Sequence, residues 1–300
     1  MLRFIPRIHT LELTMGIHID INPVLFTFGG LEVRWYGVMM ALGVMTLLFW
    51  AFMQVRRGAK ISYDTLTGAA LVGIISGIVF SRLLHVVDGA ENIHYYFSQP
   101  SRIIGGEGLT IYGAILGAAL GVWVYSRLNK INFSYLADVI TPGIILAQML
   151  GRVGCLINGC CYGTTVNNLP FAVIYDLPNS FGPLGIPTQP TVAYEILFLG
   201  ALFAVIMVFR SKFKPAGVQF LFYLGIYSVW RIGIGVLRAG LVNFIDWHVF
   251  GIHIALEDAQ FIGIIASIIC FGLIIYKVRK ARSAPQAVEP ATVAEIESKS

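Results

Sequence analysis

Apolar stretches of about 20 residues recur along the chain, at Trp35–Val55, Thr65–Val87, Leu109–Ser126, Leu136–Leu156, Thr191–Phe209, Gly217–Val236 and Ala259–Tyr276, each long enough to cross a bilayer. Backbone polar groups facing lipid must be satisfied within their own segment, so these seven spans are expected to be helices of an all-α polytopic membrane protein. Composition points the same way. Of 300 residues, 57% are hydrophobic and only 12% are charged, whereas charged residues make up about a quarter of a soluble domain. Pro142, Gly143, Gln148 and Arg152 interrupt the fourth span, which is tolerated where a helix faces protein or a wet cavity. Gly68, Gly73 and Gly77, and likewise Gly113, Gly117 and Gly121, recur at helical spacing and permit close packing between helices.

The net charge of +5 does not indicate nucleic acid, because Lys and Arg lie in short clusters between apolar stretches. Arg56, Arg57 and Lys60 follow the first span, Arg127 and Lys130 the third, Arg210, Lys212 and Lys214 the fifth, and Lys277, Arg279, Lys280 and Arg282 the last. By the positive-inside rule these ends are cytoplasmic, with the N-terminus outside and the C-terminus inside. Apart from Lys299 in the tail, every remaining basic residue is Arg: Arg3, Arg7, Arg34, Arg82, Arg102, Arg152, Arg231 and Arg238. One or two of these suit snorkelling to headgroups. Arg82, Arg152, Arg231 and Arg238 all lie near or within the membrane, where a permanently charged planar fork needs an anionic partner, and lipid phosphate is the obvious one.

The single transmembrane domain is expected to cover residues 22–280, after an N-terminal surface segment 1–21 in which Met15 is a second candidate start. Met1 to Thr14 lacks the apolar core and cleavage site of a secretory signal. Residues 281–300 read as a disordered cytoplasmic tail, rich in Ala, Pro, Glu and Ser without periodicity. Gly163 to Pro190 is the longest loop between spans and is expected outside, where it could cover a site. Neither Rossmann nor P-loop spacing occurs. The cysteines Cys155, Cys160, Cys161 and Cys270 have no neighbouring His pair and no Cys-x-x-Cys, so neither a metal site nor a cofactor is expected. Small buried hydrophobes are the commoner role for such cysteines, and a disulfide from Cys155 to Cys160 or Cys161 is the alternative on an oxidising face. His85, His94, His248 and His253 carry no motif and read as interfacial.

The densest pattern is Gly151 to Gly163, Gly-Arg-Val-Gly-Cys-Leu-Ile-Asn-Gly-Cys-Cys-Tyr-Gly. This loop, with Trp35-Tyr36-Gly37, the Gly-Ala-Ile-Leu-Gly after Tyr112, Pro190-Thr191, Tyr194-Glu195, Tyr227, Arg231 and Arg238, resembles the prolipoprotein diacylglyceryl transferases over roughly Asn22 to Lys280. The resemblance implies a multi-pass enzyme of the bacterial inner membrane. It would move a diacylglyceryl group from phosphatidylglycerol to the thiol of a lipobox cysteine in a prolipoprotein signal peptide, releasing glycerol phosphate. Arg152 matches the signature arginine and is assigned to the phosphate, and Arg231 matches the second arginine. Arg82 and Arg238 occur where members also carry Arg. Asn158 and Gly159 either donate to lipid oxygens or shape the turn. Glu195 is expected to pair with an arginine, since an unpartnered carboxylate there would be costly. Tyr227 continues the matching pattern.

Five polar positions depart from the family pattern. Tyr112 stands where members carry His, Cys155 where they carry Asn, Cys160 and Gly235 where they carry Glu, and Gln189 where they carry the His of His-Pro-Ser. The acceptor thiol must become a thiolate, and three readings remain. Tyr36 or Tyr112 takes the proton beside the arginines, the arginine cluster alone lowers the acceptor's pKa, or this activity is lost. The Gly-Cys-Cys-Tyr-Gly ending resembles that of one family branch, which favours a lineage variant. Tyr36 suits an aromatic belt equally well. A membrane anion or lipid transporter, or a phosphatidylglycerol-dependent transferase with another acceptor, is the alternative function. A transporter would predict internal repeats, and none is evident.

Overall fold

The computed structural model describes residues 16–87, 93, 95–96, 98, 110–239, 243–249 and 252–283. Residues 1–15, with Arg3, Arg7 and Met15, lie outside that set, as do His94, Arg102, the side chains of His248 and His253, and the tail from residue 284. Seven helices are long and apolar enough to cross a membrane: α1 (Trp35–Arg56), α2 (Tyr63–Val87), α3 (Ile111–Leu128), α4 (Phe133–Asn158), α5 (Thr191–Phe209), α6 (Val218–Gly235) and α7 (Asp258–Ser283). They coincide with the seven apolar stretches. The last runs past Tyr276 to Ser283, three residues into the segment expected to be tail. Lys, Arg and Ala are good helix formers, and cations suit the negative end of the helix dipole.

Neighbouring helices pair in an up-and-down arrangement, α1 along α4, α2 along α3 and α6 along α7, with α4 also packed on α5. Small residues set these approaches. A Cβ on Gly43 would lie 2.9 Å from the Ala147 carbonyl, one on Gly143 would lie 3.0 Å from Trp50, and one on Gly117 would lie 2.6 Å from the Ser76 carbonyl. The apolar core follows the same seams, with Leu136, Val139, Ala51 and Leu66 in one cluster and Ile145, Leu199, Ile206 and Tyr223 in another.

The interrupted fourth span is one continuous helix. Asn132 caps it, its side-chain oxygen accepting from the Tyr135 amide. Pro142 has no N–H, so the Asp138 carbonyl one turn earlier loses its helical donor. Gln219 Nε2 supplies that bond from α6 at 2.8 Å. The Asp138 carboxylate in turn accepts from the amides of Gly217 at 2.5 Å and Phe220 at 2.8 Å, capping the positive end of α6. The interruption is thus a docking point between helices.

Six short strands, absent from the all-helical expectation, lie outside the spans. β1 (Ile17–Ile19) pairs in parallel with β4 (Val173–Tyr175), while β2 (Val24–Phe28) and β3 (Leu31–Arg34) form a hairpin, as do β5 (Asn243–Val249) and β6 (Ile252–Glu257). The stretch 163–190 is therefore an ordered cap with a fully buried strand, and His18 fastens it by a hydrogen bond from Nδ1 to the Asp176 carboxylate at 2.9 Å. Replacing Gln219 by Leu is expected to cost roughly 1–3 kcal/mol by orphaning the Asp138 carbonyl. Adding Pro142→Ala should recover part of that loss, read by thermal unfolding in detergent.

Candidate active site

Alternation of the helices gathers the starts of α1 and α5 and the ends of α4 and α6 at one end of the bundle. The lysines Lys60, Lys130, Lys212 and Lys277 lie at the other. At the lysine-free end Arg152 sits one and a half turns before the end of α4, with its side chain 18% exposed. Its Nε donates to Glu195 of α5 at 2.9 Å, and the Glu195 side chain is 4% exposed. Tyr227 of α6 donates its hydroxyl to the same Glu195 oxygen at 2.8 Å and accepts from Arg152 Nη2 at 3.4 Å. Arg152 Nη1 donates to the sulfurs of Cys155 and Cys161, at 3.9 and 3.8 Å. All three guanidinium nitrogens are engaged, which is how so buried a cation is tolerated.

The thiols meet because α4 ends in a tight turn. Gly159 is left-handed at φ 75° and terminates the helix, and a Cβ there would strike Ser180 and lie 2.7 Å from the Gly182 amide. Gly159 is therefore a turn residue, required by geometry. Cys161 follows, also left-handed at φ 65°, an uncommon state for a residue with a side chain. Its carbonyl accepts from Thr191 Oγ1 at 2.9 Å, at the start of α5. The sulfurs of Cys155, Cys160 and Cys161 then lie within 4.8 Å of one another. All three cysteines are free, Cys155 buried and the others half-buried. Hydrogen bonds from Cys155 and then Cys160, helped by Arg238 and Arg152, hold the Cys161 thiol well below the usual thiol range. Spacings of five and one residues gave no sign of this grouping, which the turn alone produces.

Arg238 arrives through backbone pairing, with Gly163 bridging antiparallel to Arg238, the Thr164 amide donating to the Leu237 carbonyl and the Ala239 amide to the Tyr162 carbonyl. Arg231 lies two turns earlier on the same chain segment. Among the described residues, Arg231 Nη1 and Arg238 Nε are buried without a hydrogen-bond partner, and so is Glu257 Oε2. Burial pushes the Glu257 carboxyl up, opposed by Arg231 and Arg238. Glu257 carried no sequence signal, since with Asp258 it reads as an ordinary carboxylate pair flanking the last span.

Other expected residues fall differently. Tyr36 is half-buried within electrostatic reach of the three thiols and Arg152, because Gly154 lets α1 approach α4 there. Tyr112 is 39% exposed at the start of α3 and takes no part in the hydrogen bonds around Arg152. Arg82 lies over the Tyr96 ring at 5.0 Å. Asn158 is buried, its side-chain oxygen accepting from Arg34 at 3.3 Å. Arg34, which also stacks on Phe181 at 4.9 Å, was visible only as one of the outer arginines. Gln189 accepts from Tyr194, and the space beside Gly235 is filled by Gln260. A cavity of about 480 Å³ lined by Gln54, Asp138 and Arg210 lies at the opposite, basic end, and Asp138 is about 21 Å along α4 from Arg152.

A polytopic helical membrane protein with a buried arginine site at one end is the class these features define. The prolipoprotein diacylglyceryl transferase family model matches residues 23–276. The chain is 48% identical to a phosphatidylglycerol–prolipoprotein diacylglyceryl transferase of Dehalococcoides mccartyi strain 195, covering 89% of this chain and 97% of the relative. It is 47% identical to that of strain BAV1, over 88% and 96%. It is 34% identical to phosphatidylglycerol–prolipoprotein diacylglyceryl transferase 2 of Clostridium perfringens, over 87% and 96%. The chain belongs to the prolipoprotein diacylglyceryl transferase family.

Glu195→Ala leaves Arg152 buried without its anion and is expected to destabilise the protein by about 3–5 kcal/mol. Glu195→Ala with Arg152→Met should recover much of that stability, measured by thermal unfolding of the detergent-solubilised protein.

Proposed function

We propose that the protein transfers a diacylglyceryl group from phosphatidylglycerol to the cysteine thiol of a prolipoprotein, with glycerol phosphate as the leaving group. Membership of the family supports this reaction, and the observation that carries it to particular residues is the pair of buried, unpartnered N–H groups on Arg231 and Arg238. A phosphodiester oxygen leaves readily only if positive charge neutralises it as the carbon–oxygen bond breaks, and preorganised guanidinium groups in a water-poor site supply that charge. Since Arg152 already serves Glu195, Tyr227 and two thiols, the phosphate is assigned first to Arg231 and Arg238. Arg152 adds its charge and positions the thiol-bearing turn. The acceptor peptide is a lipobox segment, and the site opens to the outer leaflet of the bacterial inner membrane, the lysine-rich end being cytoplasmic. Asn158, Gly159 and Arg34 hold the turn, Glu195 and Tyr227 hold Arg152, and Tyr112 stands outside the hydrogen bonds around Arg152.

With phosphatidylglycerol vesicles and a lipobox peptide, Arg231→Ala and Arg238→Ala are each expected to slow turnover about 10²–10³-fold. Arg152→Ala should abolish it, and Arg152→Lys should not rescue it, because a point charge cannot serve the four partners, Glu195, Tyr227, Cys155 and Cys161, that the planar fork reaches. Tyr112→Phe is expected to leave the rate unchanged. Full activity in both the Arg231 and Arg238 variants would remove the phosphate assignment.

A further inference from the structure

Two of the five positions that depart from the family pattern, Cys155 and Cys160, carry thiols at the lysine-free end of the bundle, and together with Cys161 those thiols are not scattered. Three sulfurs lie within 4.8 Å of one another, a triangle that small side-chain rotations close to the about 3.8 Å edge of a tetrahedral site with metal–sulfur bonds of about 2.3 Å. Among the described residues no fourth cysteine, histidine or carboxylate joins the group. Three protein ligands with one position open is the pattern of a catalytic zinc site, and an all-sulfur donor set selects a soft or borderline cation. The surroundings suit bound thiolates. Arg152 Nη1 donates to Cys155 and Cys161, the outer-shell hydrogen bonding that ligated sulfur takes up. Cys161 holds its sulfur in the group from a left-handed backbone that a glycine would adopt more readily.

From this arrangement we infer that Cys155, Cys160 and Cys161 bind one zinc ion whose fourth ligand is the acceptor cysteine of the peptide substrate. The inference rests on the transferase reading above and answers how the acceptor becomes nucleophilic without the usual base. A thiol that coordinates zinc loses its proton outright, here to water. The sulfur lone pair forms a bond to the glyceryl carbon of phosphatidylglycerol while that carbon's bond to the phosphate oxygen breaks. The bonding pair leaves with glycerol phosphate, held by Arg231 and Arg238, and the proton lost to water balances its second charge. Zinc keeps its oxidation state, and the neutral thioether product is released from it. Arg152 ties the thiol group to the bundle, touching the thiols through Nη1 and the Glu195–Tyr227 pair through Nε and Nη2.

The test is metal loading of the full-length protein in detergent with its thiols kept reduced. About one zinc per chain is expected, and cobalt substitution should give an intense thiolate-to-metal charge-transfer band. Adding a lipobox peptide should shift the cobalt ligand-field bands, whereas the same peptide with Cys→Ser should not. Cys155→Ser, Cys160→Ser and Cys161→Ser should each weaken zinc binding by more than about tenfold, the loss that even an outer-shell change causes. Cys270→Ser, buried elsewhere in α7, should not. Removing zinc with a chelator should slow transfer about 100-fold, reversibly. Absence of the charge-transfer band in reduced wild-type protein overturns the proposal, as does isolation of the protein with two of the three thiols oxidised to a disulfide. A band unmoved by the peptide thiol overturns the role of the fourth ligand. Full transfer activity in zinc-free, fully reduced protein overturns the proposal while leaving the transferase reading intact. A cobalt site that takes the peptide thiol in a protein inactive with phosphatidylglycerol has the opposite consequence.

Discussion

The ion pair between Arg152 and Glu195 ties together four elements that have little else in common. Arg152 comes from the end of α4, Glu195 from the start of α5, Tyr227 from α6, and the thiols from the turn after α4. A guanidinium this deep in an apolar bundle is sustainable only because each nitrogen has a partner at 2.9 to 3.9 Å. The pair therefore fixes the relative height of three helices at the reacting end. What it leaves over is as important, since Glu195 neutralises one charge and Arg231 and Arg238 remain with buried donors unused. Excess positive charge in a water-poor site is what a lipid phosphate would recognise.

The opposite end of the bundle solves a different problem by the same means. Asp138 caps α6 and Lys277 donates to the Ala216 carbonyl, so these two charged groups serve the start of α6. Pro142 deprives one carbonyl of its donor and Gln219 restores it. Polar groups within the spans are thus divided between those that join helices and those left with unused donors, among the latter Arg231 and Arg238 at the lysine-free end and Gln54 Nε2 at the other.

Much of the site was legible residue by residue. The arginine bias of the outer half singled out Arg152, Arg231 and Arg238, and the bias works because a planar fork that never deprotonates is the group that phosphate binding selects. Arg82 carried the same signal and lies over the Tyr96 ring, a neighbour that sequence position on a helix does not specify. Arg34 was visible only through the outer arginine bias, and Glu257 gave no signal. One is drawn in through Asn158, and the other flanks the last span as any interfacial carboxylate would. Tyr36 and Tyr112 looked alike as aromatic residues near arginine, and only the close approach of α1 to α4 at Gly154 separates them.

The sequence by itself determined the seven spans, their alternation and the end at which arginine accumulates, because hydrophobic length and charge are properties of contiguous residues. It also determined that three cysteines, Cys155, Cys160 and Cys161, follow Arg152 within nine residues. Tertiary structure decided that those thiols meet. Cys155 lies on the last turn of a helix while Cys160 and Cys161 lie beyond a left-handed glycine, and a reversal of chain direction brings together side chains that linear spacing keeps apart. The same turn pairs with the segment after α6 and delivers Arg238, since backbone hydrogen bonds between distant strands leave no periodic trace in either one.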